Sequence, residues 1–345
     1  MIIYFDNAST MQVFPEVKKF VSGNAGFLNA DRNVYHQAGV QTAAEIEKSR
    51  IVVANILNVS PANIKFLCDE SILLHLISNY LSKSAFSSII TYKHENPILL
   101  DFFRNVAERN NLELHFVSQM EDSGIDLKHL KQLLKESKKS FVSLPHVNAV
   151  TGRLLQIKRV SELCKKYDAI FHCDISYSIG RLGLDMSHIS VDIASFSSQK
   201  TGAIRGVTGV FIRYGQNIDY KDICFQENQN IYALGSLLVA LKIWGEKASE
   251  FNFQIKKLKK YLFEKLNQAN IDYNSISESD EHFSPYLINI AINVSDFEAF
   301  CYKLDLNDVQ ISPFFKDKEI LISFSPMNTF DDIDRFVEVC KKIVS

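Results

Sequence analysis

Between about residues 45 and 215, short apolar runs alternate with segments whose apolar residues recur at helical spacing. This alternation most narrows the folds open to the chain. Ile157, Val160, Leu163, Cys164 and Tyr167 share one helical face, and the run that follows, AIFHCD, stops at Asp174. DIASFSS and GVTGVFIR repeat the pattern, each bounded by polar residues or glycine. Strand and helix in alternation predict an α/β domain around a mostly parallel sheet. Ligands of such sheets gather beyond the carboxyl ends of the strands, where the chain leaves for the next helix. Asp174 and the segment 197–200 both occupy that kind of position.

After Ile231 the pattern changes. A long helical stretch, roughly Leu234–Gln268, leads into a C-terminal third where YLINIAINV and EILISFS read as strands beside two amphipathic helices. This third predicts a smaller α+β domain, and a length of 345 residues suits one large core and one small one. The piece 274–282, rich in Ser, Asn and Glu, reads as an exposed loop. With 38 basic residues against 40 acidic, a net charge of −2 gives no bulk attraction to nucleic acid or anionic lipid. No nucleic-acid or membrane partner is therefore expected. The opening MIIYFDNAST lacks a basic region followed by an apolar run, and no apolar stretch is long enough to span a bilayer. A cytoplasmic location is the default. Cysteines at 68, 164, 173, 224, 301 and 340 form no CxxC pair, which argues against a disulfide framework or a zinc site and predicts reduced thiols.

In SFSSQKTGAIRGVTGVF, at 195–211, Lys200 is the one lysine. A lone lysine is most often a solvated surface charge. Together with Asp174 it supports a second reading. A site for pyridoxal 5'-phosphate (PLP) needs an amine for the aldehyde and an acid beside the pyridine nitrogen. Phosphate must also be held, which small hydroxyl residues with open backbone N–H groups at a strand-to-helix turn can do; Ser197 and Ser198 have that chemistry. Taken singly, plainer alternatives stay open: Asp174 as a helix cap, the serines as turn formers.

The segment resembles the lysine motif of the cysteine desulfurase family, the class V aminotransferase branch of PLP enzymes, which reads approximately SFSxHK followed by GPKG. Here it is SFSSQKTGAIRGVTGVFIR, with Lys200 in the place of the cofactor-bearing lysine. FHCDISYSIGRLGLDMSHISVDIASFSS resembles the family stretch that opens on HVDATQ, with no gap between Asp174 and Lys200. YFDNASTMQVFPEV, HVNAVTGRLLQI and ISFSPMNTFDDIDRFVEV extend the likeness along nearly the whole chain. The resemblance implies the α/β PLP-dependent transferase fold type I, PLP as cofactor, and a small-molecule amine or amino acid as substrate. It also implies a homodimer whose subunit has a large PLP-binding domain, 13–245, and a small domain made of 1–12 and 246–345.

The same resemblance implies site residues, several of them altered. Gln199 stands where the family has a histidine that helps hold the phosphate, and its amide can still donate. Asn96 replaces the histidine that stacks on the pyridine ring, with His94 as a neighbouring substitute. Asn148 matches the first asparagine of HVNNE and Ala149 the second, which contacts the phenolic oxygen; Tyr177 replaces a glutamine that shares that role. The phosphate-binding SGaTE turn has become CDESI, with Ser71 in the threonine's place and Asp69 and Glu70 beside it, a change that weakens affinity for an anion. Leu321 replaces the arginine that clamps the substrate carboxylate, which leaves Arg205 and Arg153 as other cations for that task. The family's loop with the sulfur-accepting cysteine corresponds to QISPFFKDKEI, at 310–320, which has no cysteine. Cys164, Cys301 and Cys340 sit at core spacing, whereas Cys68 and Cys224 are less readily assigned to a core.

The chain thus reads as a PLP-dependent enzyme of altered chemistry, a lyase or transferase acting on an amino compound. The alternative is a catalytically inactive desulfurase-like subunit that binds a protein partner. A desulfurase that uses Cys224 or a thiol from another chain is a third reading.

Overall fold

The computed structural model describes residues 2–24, 30–31, 33–122, 124–213, 230–278, 282–314 and 317–344. It divides into two compact units, Val13–Val147 with Leu155–Glu246, and Met1–Gln12 with Asn148–Leu154 and Lys247–Ser345.

The first strand, β1 (Ile3–Tyr4), belongs to the second unit. The first unit contains β2 (Ile64–Leu67), β3 (Ser88–Tyr92), β4 (Glu113–Val117), β5 (Ser140–Pro145), β6 (Ile170–Asp174), β7 (Ile193–Ser197) and β8 (Thr208–Ile212). They form one sheet in the order β2-β8-β7-β6-β5-β3-β4. From β7 to β4 every pairing is parallel, and β8 runs antiparallel to both of its neighbours. Every residue of β3, β5, β7 and β8 is buried, as expected of strands covered on both faces, and this is why they read as apolar runs. β4, at the edge of the sheet, is partly exposed along most of its length.

The helices of this unit are α1 (Pro15–Asn24), α2 (Gln37–Leu57), α3 (Glu70–Lys83), α4 (Pro97–Asn110), α5 (Leu127–Glu136), α6 (Ile157–Lys166) and the first part of α7 (Ile231–Gln268). α6 buries Ile157, Val160, Ser161 and Cys164, the spacing of one helical face. Local chemistry starts the others: Asp69 caps α3, Asn96 caps α4 with Pro97 at its first position, and Asp126 caps α5.

In the second unit β9 (Tyr273–Asn274), β10 (Leu287–Ile292), β12 (Ser312–Phe314) and β13 (Glu319–Ser323) make an antiparallel sheet in the order β12-β13-β10-β9. β1 pairs in parallel with β11 (Val309–Gln310), and the Ser323 N–H donates to the Phe5 carbonyl at 2.8 Å, which ties the N-terminal arm to this sheet. α8 (Phe297–Leu306) buries Phe297, Phe300, Cys301 and Leu304, and α9 (Phe330–Val344) buries Cys340 with Ile333, Phe336 and Val337, while Val344 is exposed. Among the described residues no helix is long and apolar enough to cross a membrane.

Candidate active site

The strand registers gather one set of turns. Asp174 at the end of β6 lies beside Ser195 of β7, and Ser197 at the end of β7 is matched to Thr208, which is matched in turn to Leu67 at the end of β2. β2 and β7 therefore finish at the same edge of the sheet, together with β6, β5 and β3. Beyond that edge lie Asp69–Ser71, Asn96, His146, Asp174–Tyr177 and the 3-10 turn Ser198–Lys200. This is the edge where parallel sheets expose ligands to loops and helix N-termini.

The turn that carries Lys200 is held from several sides. Ser198 donates its hydroxyl to the Ile204 carbonyl at 2.7 Å, and Thr201 donates to the Ser198 carbonyl at 2.7 Å. Trp244 Nε1 donates to the Thr201 carbonyl at 2.8 Å, and Arg181, 5.3 Å over the Trp244 ring, donates to the Lys200 carbonyl. Gly180 permits this packing: its φ is +75°, and a Cβ there would come within 2.8 Å of Trp244 Cβ. The backbone of Lys200 is thereby fixed, and its Nζ lies 5.3 Å from the centroid of the Tyr177 ring.

Asp174 accepts from the Ser176 N–H at 2.8 Å, and the Ser176 hydroxyl accepts from the Ser197 N–H at 3.2 Å, so the acid and the lysine turn are coupled through one serine. Burial raises the Asp174 pKa above the usual carboxylate value, against the opposing effects of the Ser176 hydrogen bonds and the Lys200 charge. Burial also raises Glu70 to about 7, with Asp174 adding to the rise and Lys200 opposing it. Glu95 is 5% exposed and pushed up to about 8, by burial first and then by Asp174 and Glu70, against its bond from the Asn96 N–H. His146 pairs with Ser178 at 2.7 Å and is driven down to about 4 by burial.

The residues singled out in the sequence fall into distinct roles. Lys200, Asp174, Tyr177, Ser197 and Gln199 lie at this edge; Ser197 is buried, and the side chains of Gln199 and Tyr177 are partly open. Asn96 lies there too, but its carboxamide oxygen accepts from the Ile98 N–H at 3.0 Å and so caps α4. Ser71 lies at the start of α3, where its N–H donates to Asp69 at 2.6 Å. Ser198, offered by the sequence as a phosphate group holder, is instead a turn former whose hydroxyl is engaged by Ile204. Asn148 belongs to the other unit, where its oxygen accepts from the Val150 and Thr151 N–H groups and turns the segment Asn148–Leu154.

Of the other candidates, Leu321 is buried in β13, Arg153 is buried with its guanidinium 5.3 Å over the Phe283 ring, and Arg205 is exposed. Cys164, Cys301 and Cys340 are buried, and burial raises the pKa of each. Cys68 is partly exposed at the entry to α3, and Cys224 lies outside the described residues. Glu95 is the residue that the sequence reading missed; its only signal was an acid directly after the short strand SIITY and its turn. Among the described residues no group of His, Cys, Asp and Glu side chains could hold a metal ion. An open cleft of about 740 Å³ in the second unit, lined by Tyr4, Asp6, Glu298, Cys301 and Tyr302 among others, contains none of the residues at the strand-end edge.

Comparison with known proteins bears on the family and the fold. A profile described as aminotransferase class-V matches residues 3–219. The chain is 26% identical over 326 residues to the cysteine desulfurase IscS of Proteus mirabilis, an alignment that covers 90% of this chain and 79% of that protein. It is 29% identical over 220 residues to the cysteine desulfurase IscS of Escherichia coli, covering 61% of this chain and about half, 53%, of that one. Its fold matches that of a NifS-like protein from Rickettsia africae with a TM-score of 0.88 at 23% identity, over 99% of both chains. The fold is PLP fold type I, and the chain belongs to the aminotransferase class-V family of PLP-dependent enzymes as a divergent relative of the cysteine desulfurases.

Proposed function

We propose that the chain is a PLP-dependent transferase or lyase that acts at the carbon bearing the amine of a small amino compound, as a cytoplasmic homodimer. The observation that carries this reading is the placement of the Lys200 amine, over Tyr177, and the Asp174 carboxylate at the ends of adjacent strands. This donor set fits the cofactor: Lys200 would hold its aldehyde, Asp174 its pyridine nitrogen, Tyr177 its phenolic oxygen, and Ser197, Gln199 and Ser71 its phosphate. The bound cofactor supplies an electron sink for the carbon next to the substrate amine. Asp174 keeps the proton on the pyridine nitrogen, which that role requires. Lys200 Nζ would be the base and acid that moves the proton on that carbon.

Two features favour a reaction other than sulfur transfer. The segment 310–320 has no cysteine, and Cys301 and Cys340 are buried with raised pKa values. Leu321 offers nothing to a substrate carboxylate, which favours an amine whose carboxylate is absent or bound elsewhere. The test is proton exchange in deuterated water, followed by NMR, over a panel of amines and amino acids. Exchange in at least one compound, lost in Lys200→Ala, is the expected result. Loaded cofactor with no exchange in any compound would instead favour a catalytically inactive subunit that binds a protein partner.

A further inference from the structure

One face of α8 is left open in the second unit. The helix buries Phe297, Phe300 and Leu304 on one side. On another it presents Glu298, Tyr302 and Asp305, spaced i, i+4 and i+7, with Tyr302 65% exposed. These three residues line the open cleft of about 740 Å³. The rest of the lining comes from strands and their ends: Tyr4 and Asp6 of the N-terminal arm, and the segment from Val309 to Pro313. The helix and the arm thus each bring a tyrosine and a carboxylate to one cleft, and all of it belongs to a single compact unit.

Charge in the cleft has one sign. Asp6, Glu298 and Asp305 line it, and no lysine, arginine or histidine does so among the described residues. Neither Glu298 nor Asp305 makes an ion pair among the described residues, and Asp6 accepts from the Ser312 hydroxyl. These acids do not converge as metal ligands would, since among the described residues no group of His, Cys, Asp and Glu could hold an ion. Seven residues of helix separate Glu298 from Asp305 by about 10 Å. A ligand that meets both must therefore carry its positive charges apart. Tyrosine ring faces attract the same kind of group. The Tyr4 hydroxyl is already engaged, donating to the Thr10 carbonyl at 2.7 Å.

We propose that this cleft binds a basic, extended segment of a partner protein, with lysine or arginine side chains at alternate positions set against Glu298, Asp305 and Tyr302. Alternate residues of an extended chain project from one face about 7 Å apart, and long cationic side chains cover the remaining span. The Gln310 carboxamide can donate to and accept from the backbone of such a segment, while Val309, Ile311 and Pro313 cover its apolar atoms. A free polyamine supplies the charges but no peptide group for Gln310. None of these residues lies at the strand-end edge, so the cleft is independent of the PLP reading.

The test is fluorescence anisotropy of a labelled nonapeptide of alternating arginine and serine, titrated with the full chain. A glutamate–serine peptide of the same length is the charge control, and unlabelled spermine is the competitor. Wild type is expected to bind the arginine peptide, more weakly as salt rises, and not the glutamate peptide. The double variant Glu298→Gln, Asp305→Asn should bind about tenfold more weakly, and Tyr302→Ala about threefold more weakly. A second double variant, Glu16→Gln with Glu108→Gln, removes two exposed acids of the other unit and should stay within about twofold of wild type. No binding by wild type overturns the proposal. An equal loss in the two double variants overturns it in favour of bulk charge. Displacement by spermine, with Tyr302→Ala at wild-type affinity, overturns it in favour of a polyamine site.

Discussion

Asp174 and Lys200 act on each other across the ends of β6 and β7, where burial favours the neutral acid and the ammonium favours the carboxylate. Asp174→Asn keeps the shape and removes the charge, so it should lower the rate of proton exchange in any accepted amine by about a hundredfold or more, with the fold intact. A rate within a few-fold of wild type would show that the pyridine nitrogen has another partner. Glu95 gives a prediction for stability. Its carboxyl has an ordinary value of 4.5 and keeps its proton to about 8 in the folded chain, so the folded state binds the extra proton in that window and stability falls as pH rises through it. Glu95→Gln should remove that loss and stabilise the protein at pH 8, on the order of 2 kcal/mol, measured by urea unfolding. His146 and His172 act on the acid side: both are buried with pKa values lowered from 6.5 to about 4, so stability should also fall as pH drops from 6.5 towards 4. Lys200 and Asp174 were legible in the sequence because the chemistry needs an amine and an acid together. Glu95 was not, because only the packing of the turn after β3 shows that its carboxylate is buried near Asp174.

The strands β6, β7 and β8 could be read as elements because coverage on both faces leaves short, largely apolar runs, and β6 and β7 stop where the chain turns into the site. The roles of the turns were less visible. Asn96 and Ser198 have the residue types of ligand-holding groups, yet in the fold each satisfies backbone groups, one at the start of α4 and one in the lysine turn. The β7–β8 pair supports that turn through a close approach: Gly209 lies opposite Phe196, and a Cβ there would strike the phenyl ring. Gly209→Ala should therefore cost about 1–3 kcal/mol in urea unfolding and loosen the strand that leads into Ser197. Unchanged stability would mean that Phe196 can swing aside without cost.

Across the whole chain, the class of fold follows from the alternation of elements, while the content of the site depends on residues scattered from Asp69 to Lys200 that meet only because several parallel strands end at one edge. Spacing in sequence carries no information about that meeting; the family motifs do, for residues the family shares. As a homodimer, the protein should sediment at twice the 39.3 kDa of one chain, and a monomer at all concentrations would contradict that part of the proposal. The central claim is that Lys200 holds the cofactor's aldehyde. It is tested most directly by the near-ultraviolet and visible absorbance of the purified protein with added PLP, compared with Lys200→Ala. A band of lysine-bound cofactor in the wild type that is missing from the variant is the expected result. A wild-type spectrum that equals free PLP, or a band that survives in Lys200→Ala, would contradict it.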